Sequence, residues 1–192
     1  AAMGYRACQA AISQPGPQGN VGAGMGATVG KVLGLSHACK GGLGSASRRV
    51  GRLVVSALFA VNAFGDVLDP ADGHVLAGVR AADGTFANAS TLLASPLVRT
   101  ALLLRHTVIG VVASNARLDV AQTNRVASAA HDGLARVVRP AHTLFDGDTV
   151  FALSAGSARA HLALVCELAA EVTSLAIANA VRAAEPAGGL PS

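Results

Sequence analysis

Aromatic side chains are scarce in this chain of 192 residues, which has no tryptophan and a single tyrosine. Proteins that bind single-stranded nucleic acid usually stack bases on aromatic rings and collect basic residues on one surface. Here the net charge of +4 comes from scattered basic residues, and only Arg48, Arg49 and Arg52 form a tight cluster. The composition therefore argues against a nucleic-acid partner.

Cysteines are also few: Cys8, Cys39 and Cys166 are odd in number and have no CxxC spacing. This usage argues against a disulfide framework and against a zinc site, and it is typical of a reducing compartment. We therefore predict a cytoplasmic protein that needs neither a metal ion nor a cofactor.

Long uninterrupted apolar runs are absent, although the mean hydropathy of +0.48 is high. The most apolar stretch, from Leu162 to Val181, is interrupted by Glu167 and Glu171. A membrane span needs about 20 apolar residues, and two carboxylates within it are costly in lipid. We predict a buried helix with one solvated stripe, and no membrane partner.

What the chain does contain is an alternation of strand-like and helix-like segments, which predicts one domain of packed layers. Asp119 can cap a helix that runs to about Val138, and residues 83–104 form a surface loop with one short helix. The other predicted elements are strands at 53–61, 108–113 and 149–153 and a closing helix at 158–184.

Glycine is abundant between Gly16 and Gly44, which predicts tight turns and close backbone approach rather than helix. Phosphate-binding motifs are not satisfied there, because Gly22, Gly24 and Gly26 do not fit GxGxxG and Gly30-Lys31 is not followed by Ser or Thr. A structural role for these glycines is the favoured interpretation.

Several sequence blocks occur in an order that resembles the L-aminopeptidase/D-esterase family, which includes β-peptidyl aminopeptidases and nylon-oligomer hydrolases. The blocks are GYRAC at 4–8, GNVGAG at 19–24, KGGLGSAS at 40–47, AVNAFGD at 60–66, AHDGLAR at 130–136 and the segment 139–153. The resemblance covers nearly the whole chain and lacks the family's amino-terminal portion, so we expect a piece of a longer protein.

The resemblance implies an α/β fold, the αββα sandwich of self-processing aminopeptidases. Members of the family cut themselves into two subunits that stay together, and the new terminal Ser or Thr is the nucleophile. The block RHTVIGVV at 105–112 resembles the cleavage site, which implies scission between His106 and Thr107. Residues 1–106 would then end the α subunit, and residues 107–192 would form the β subunit.

The chemistry of that scission is sound, because a threonine hydroxyl needs a base beside it and a terminal threonine has its own α-amine. By resemblance, Asn62 is the oxyanion donor, and Lys40 and Tyr5 lie near the nucleophile. Asp146 and Asp148 match an acidic pair that orients the terminal amine and the lysine. Asp at both positions resembles the nylon-oligomer branch.

We therefore predict an aminopeptidase or amidase that acts on a small peptide or amide, associates with its own cleaved subunit and forms a homo-oligomer. Two alternatives stay open. One is acyl transfer of the ornithine acetyltransferase kind, which uses a similar fold and a self-generated threonine. The other is an uncleaved, non-catalytic relative, to which His106 points because relatives usually have Asn or Gly there.

Overall fold

The computed structural model describes residues 2–12, 14, 16–94, 106–144 and 146–192. The helices are α1 (Ala2–Gln9), α2 (Ala89–Leu93), α3 (Val120–Val137) and α4 (Leu162–Arg182). The strands are β1 (Thr28–Val29), β2 (Cys39–Lys40), β3 (Gly42–Val50), β4 (Leu53–Asn62), β5 (Asp66–Leu68), β6 (Val75–Ala77), β7 (Thr107–Ala116), β8 (Val138–Arg139) and β9 (Thr149–Ala158). The predicted loop is partly described, and its residues 95–104 lie outside the described ranges.

The main sheet has the strand order β3-β4-β7-β9, in which only the β7–β9 pair is parallel. Helices α3 and α4 pack against each other and against this sheet. The predicted strands at 53–61 and 108–113 are the two central ones, β4 and β7. Alternate residues of β4, such as Val55, Phe59 and Val61, are fully buried in the core beneath the helices, as period-2 patterning requires.

Helix α3 begins where the sequence predicted. Asp119 accepts a hydrogen bond from the Gln122 backbone amide at 2.8 Å, and the Gln122 side chain accepts one from the Asp119 amide at 3.1 Å. This reciprocal capping satisfies two amides that the first helical turn leaves free. Two smaller sheets, β1-β2 and β6-β5-β8, lie beside the main sheet.

The closing helix starts later than predicted, at Leu162 instead of residue 158, because β9 continues to Ala158 and pairs there with Ala116. Helix α4 is long and apolar enough to cross a membrane, but 67% of its apolar window is buried in the protein. Its Glu171 pairs with Arg48 at 2.7 Å. Burial on one side and paired carboxylates on the other agree with the predicted core helix and its solvated stripe.

The glycine-rich segment contains a strand that its composition did not predict, namely β3. A Cβ on Gly44 would lie 2.1 Å from the Ala176 carbonyl oxygen, and one on Gly42 would lie 2.4 Å from that of Ala180. Glycine therefore allows α4 to rest directly on the backbone of β3. The prediction of close backbone approach is confirmed, but the backbone is a strand there rather than a series of turns.

The face of the main sheet away from α3 and α4 carries large apolar side chains that are about half exposed, as at Leu58, Ile109, Phe151 and Leu153. The described residues thus form one helical layer and one main sheet. The strands β3 and β4 precede the predicted cleavage point, whereas β7 and β9 follow it. The division at 106/107 itself stays a prediction.

Candidate functional site

The candidate nucleophile and the candidate oxyanion donor lie side by side. Thr107 is the first residue of β7, and its register partner is Asn62, the last residue of β4. Antiparallel pairing therefore brings together two residues that are 45 positions apart in the sequence. A cleft of about 310 Å³ opens at this edge and is lined by Ala23, Gly26, Ala27, Ala60, Asn62, Thr107 and Ile109.

The peptide bond that was predicted to break lies at the same place. The Thr107 hydroxyl is 2.5 Å from the carbonyl oxygen of His106, and that oxygen also accepts a hydrogen bond from the Gly147 amide at 3.0 Å. Sequence reasoning did not single out Gly147 as a donor. A Cβ at position 147 would lie 2.9 Å from the Thr107 hydroxyl oxygen, so the close approach requires glycine.

The two aspartates flank that glycine, and each accepts a backbone amide. Asp148 accepts the amide of Val108 at 2.8 Å, and Asp146 accepts that of Thr143 at 2.8 Å. Burial raises the pKa of the Asp148 carboxyl, and the hydrogen bond from Val108 offsets part of this effect. Asp148 therefore fixes the start of β7, and Asp146 pairs with the residue before it, so both acidic residues lie beside the candidate nucleophile.

A lysine that the sequence analysis did not select completes this group. The Lys31 ammonium donates to the Asn62 side-chain oxygen at 2.7 Å and to the Asn62 carbonyl at 3.0 Å. The Thr28 amide also donates to that side-chain oxygen, at 3.1 Å. With its oxygen held by two donors, Asn62 has its NH₂ group left as a donor.

The position of Lys31 gives its amine unusual acid–base behaviour. The residue is 2% exposed. Burial lowers its pKa to about 8, because a low-dielectric surrounding disfavours the charged form, although Asp146 partly opposes this. A detectable fraction of Lys31 is therefore an uncharged amine near neutral pH.

Among the described residues, Lys40 and Tyr5 make no hydrogen bond with Thr107 or Asn62, and their roles stay predictions. The Lys40 ammonium donates to the Met25 carbonyl at 2.8 Å, and burial lowers its pKa. Tyr5 lies on α1, which has no buried residue, and its ring is 67% exposed. The lysine beside Asn62 is Lys31, and the signal for it was a lone charge within the apolar segment from Val29 to Leu33.

His106 is fully buried, and its ring packs against Phe64 with the ring centroids 4.7 Å apart. Neither ring nitrogen has a hydrogen-bond partner among the residues that the structure describes. Burial, followed by the charge of Lys31, lowers the pKa of the imidazole to about 4. The ring is therefore neutral at physiological pH.

A histidine pair lies behind Asp148. The rings of His131 and His142 are 5.0 Å apart, and His142 Nδ1 is 3.5 Å from an Asp148 oxygen. Burial lowers the pKa of His131, and the charges of His142, Asp148 and Asp132 also act on it. The histidine pair is thus linked to the acidic pair through Asp148.

One cluster of metal-ligand type occurs among the described residues: atoms of Asp69, Asp72 and His74 lie within 4.8 Å of one another. Each carboxylate is already engaged, Asp69 with Arg182 and Asp72 with His74. The cluster lies on a turn before β6, away from the cleft beside Thr107.

Comparisons with known proteins show the family of the chain. The chain matches Peptidase family S58 over residues 1–191. It is 38% identical to an uncharacterized aminopeptidase of Mycobacterium leprae, over all of this chain and 58% of the relative. It is 31% identical to the 6-aminohexanoate-oligomer endohydrolase of Kocuria sp., over 80% of this chain and 44% of the relative.

Among solved structures, the chain resembles the L-aminopeptidase D-Ala-esterase/amidase of Ochrobactrum anthropi. The TM-score is 0.67 at 24% identity, over 97% of this chain and 50% of that one. The chain thus spans about half the length of the proteins that it matches.

That structure is a variant of the Ntn hydrolase fold, and the helices and sheets of this chain share its arrangement, so the predicted fold class is confirmed. The chain belongs to Peptidase family S58.

Proposed function

We propose that this chain is the catalytic part of a self-processing aminopeptidase or amidase whose nucleophile is Thr107, freed as an amino terminus by scission after His106. The observation that carries the proposal is the contact of the Thr107 hydroxyl with the His106 carbonyl, whose oxygen is held by the Gly147 amide. A nucleophile, its electrophile and an oxyanion donor thus meet at one peptide bond.

Self-cleavage begins when the Thr107 oxygen attacks the His106 carbonyl carbon. The hydroxyl proton passes to a base, for which we nominate the Lys31 amine, and the negative charge develops on the oxygen held by Gly147. The bond from that carbon to the Thr107 nitrogen breaks as the nitrogen takes up a proton. The resulting ester between His106 and Thr107 is hydrolysed by water, which leaves a His106 carboxylate and a free Thr107 amine.

The processed enzyme uses the same atoms on an external amide. The Thr107 α-amine, with an ordinary pKa near 7.7–8.0, takes the proton from its own hydroxyl as the hydroxyl attacks. The Gly147 amide stabilises the oxyanion as it does in self-cleavage, the Asn62 NH₂ group and the Lys31 ammonium add to this, and Asp148 fixes Val108 beside the nucleophile. The substrate amine leaves, and water releases the acid.

The relatives support an amide substrate, because one is named as an aminopeptidase and another as a 6-aminohexanoate-oligomer endohydrolase. We extend that class to this chain as small peptides, amino-acid amides or oligomeric amides. Association with its own cleaved subunit, a homo-oligomeric assembly and a cytoplasmic location complete the proposal.

The proposal is tested with the natural-length protein and its Thr107→Ala and Thr107→Ser variants on a panel of amino-acid amides and 6-aminohexanoate oligomers. We expect amide hydrolysis from the wild type, reduced but measurable hydrolysis from the serine variant, and none from the alanine variant. Full activity in the alanine variant would contradict the proposal. Release of acyl groups onto glutamate rather than water would favour acyl transfer instead.

A further inference from the structure

The ring of His106 is enclosed, with the residue 1% exposed, rather than lying in a surface groove. Its cavity is bounded on one side by Phe64, which belongs to a small apolar cluster with Val32, Val79 and Ala89. The buried Asp66 carboxylate accepts hydrogen bonds from the Val79 and Ala89 amides at 2.9 and 2.8 Å. The Phe64 side of the cavity is therefore held by contacts that do not involve the His106 ring.

The cavity does not satisfy the polar atoms of the imidazole ring. Both nitrogens of His106 are buried without a hydrogen-bond partner among the described residues, and unpartnered buried polar atoms are costly. After scission, His106 ends in a carboxylate, and residue 106 is paired with Asp146 through an isolated β-bridge. The new carboxylate and the Asp146 side chain are neighbouring negative charges that repel each other. Cleavage therefore favours departure of the His106 ring.

The position of a bound substrate is constrained by the same atoms that act on the His106 carbonyl in self-cleavage. On the proposed function, the same Thr107 oxygen attacks the substrate carbonyl carbon, and the Gly147 amide is available to the same carbonyl oxygen. With those two contacts fixed, the side chain of the acyl residue projects where the His106 ring lies. The uncleaved peptide is thus a template for the bound substrate.

The charges around the cavity narrow the choice of side chain. Burial is the main cause that disfavours a protonated His106 ring, and the positive charge of Lys31 adds to it, although Asp146 partly opposes this. A lysine or arginine side chain entering the cavity would be desolvated by Phe64 and its cluster and would also meet the charge of Lys31. A phenyl ring meets neither penalty and has no polar atom to leave without a partner.

We propose that the cavity occupied by the His106 imidazole becomes the binding pocket for the acyl-side side chain of the substrate and that it selects an uncharged apolar ring of phenyl size. The inference rests on the proposed function and adds a substrate class to it: amides of phenylalanine and similar residues. The hydrolysis consumes water, releases the amine and leaves the free amino acid.

The test uses natural-length protein whose scission has been checked by mass spectrometry. We measure kcat/KM for the amides of histidine, phenylalanine, alanine and lysine. Phenylalaninamide should exceed lysinamide by about tenfold or more, which corresponds to ~1.4 kcal/mol. Histidinamide should fall below phenylalaninamide, because its ring nitrogens would be buried without partners. Alaninamide should fall between phenylalaninamide and lysinamide, because it leaves the cavity unfilled.

Two variants of Phe64 and one control locate the preference. Phe64→Leu keeps most of the volume but removes the ring, and Phe64→Ala opens the cavity. Both should reduce the preference for phenylalaninamide over alaninamide by severalfold. Val120→Ala, which truncates an 80% exposed side chain at the start of α3, should leave that preference unchanged. If Phe64→Ala does not fold, the substrate preference of Phe64→Leu alone tests the pocket assignment.

The outcomes separate the inference from the function on which it depends. A cleaved, active wild type with equal rates on all four amides, or with a lysine preference, overturns the pocket assignment and leaves the nucleophile intact. A cleaved Phe64→Leu variant with the wild-type preference overturns it as well. A wild type that is neither cleaved nor active contradicts the proposed function and this inference together.

Discussion

The buried imidazole of His106 makes the uncleaved protein sensitive to acid. In a Thr107→Ala variant the bond after His106 stays intact, so the ring remains in its cavity. Its pKa there is about 4, compared with an ordinary 6.5. The folded state therefore binds fewer protons than the unfolded state between these values, and stability is fully present above about pH 6.5 and is lost as the pH falls towards 4.

The magnitude follows from the two pKa values. The two pKa values differ by about 2.5, so protonation of the ring lowers the free energy of unfolding by ~3 kcal/mol in total. The full loss is reached well below about pH 4, where the ring is protonated in the folded and in the unfolded state. Between about pH 7 and about pH 5, the same linkage predicts a loss of ~2 kcal/mol in the free energy of unfolding. A loss of that size is a large fraction of the stability of an ordinary domain.

Urea denaturation at the two pH values measures the effect in Thr107→Ala and in the double variant Thr107→Ala/His106→Phe. Other titrating groups, such as Lys31 and Asp148, are present in both proteins, so the difference between their pH dependences isolates His106. We expect the double variant to lack the loss of ~2 kcal/mol. Equal pH dependence in the two proteins would refute the burial of a neutral ring at this position.

Three further predictions concern single residues. Gly147→Ala should slow self-cleavage at least about tenfold, because the new Cβ would lie 2.9 Å from the Thr107 hydroxyl oxygen. A time course by mass spectrometry measures the rate. Gly4→Ala is the control, because a Cβ at Gly4 has no other atom within 4 Å. The wild-type cleavage rate should rise with pH up to about 8, as the Lys31 amine loses its proton; Lys31→Arg should abolish that rise and Lys40→Arg should retain it. Gly44→Ala should destabilise the protein by ~1–3 kcal/mol in thermal unfolding, because its Cβ would lie 2.1 Å from a helix carbonyl.

The parts of the fold that follow local rules were accessible from the sequence. The apolar run of β4 and the β-branched run of β7 predicted the two central strands, and Asp119 predicted the start of α3. Strand β3 was missed because its glycines are explained only by the helix that rests on them. That contact joins residues more than 130 positions apart, and local propensity does not register it.

The candidate site divides in the same way. Thr107, Asn62 and the two aspartates stood out through the sequence blocks that contain them, and pairing of the strands brings these residues together. Lys31 was missed because its partner Asn62 is 31 positions away and becomes a neighbour only after folding. The catalytic roles of all these residues stay predictions.

The mass of the purified natural-length protein tests the central claim most directly. Scission at one bond predicts two fragments that remain associated under native conditions, and sequencing of the carboxyl-terminal one should begin Thr107-Val108-Ile109. The Thr107→Ala variant should give a single intact chain. An intact wild-type chain that nevertheless hydrolyses amides, or a fragment that begins at any other residue, would contradict the account.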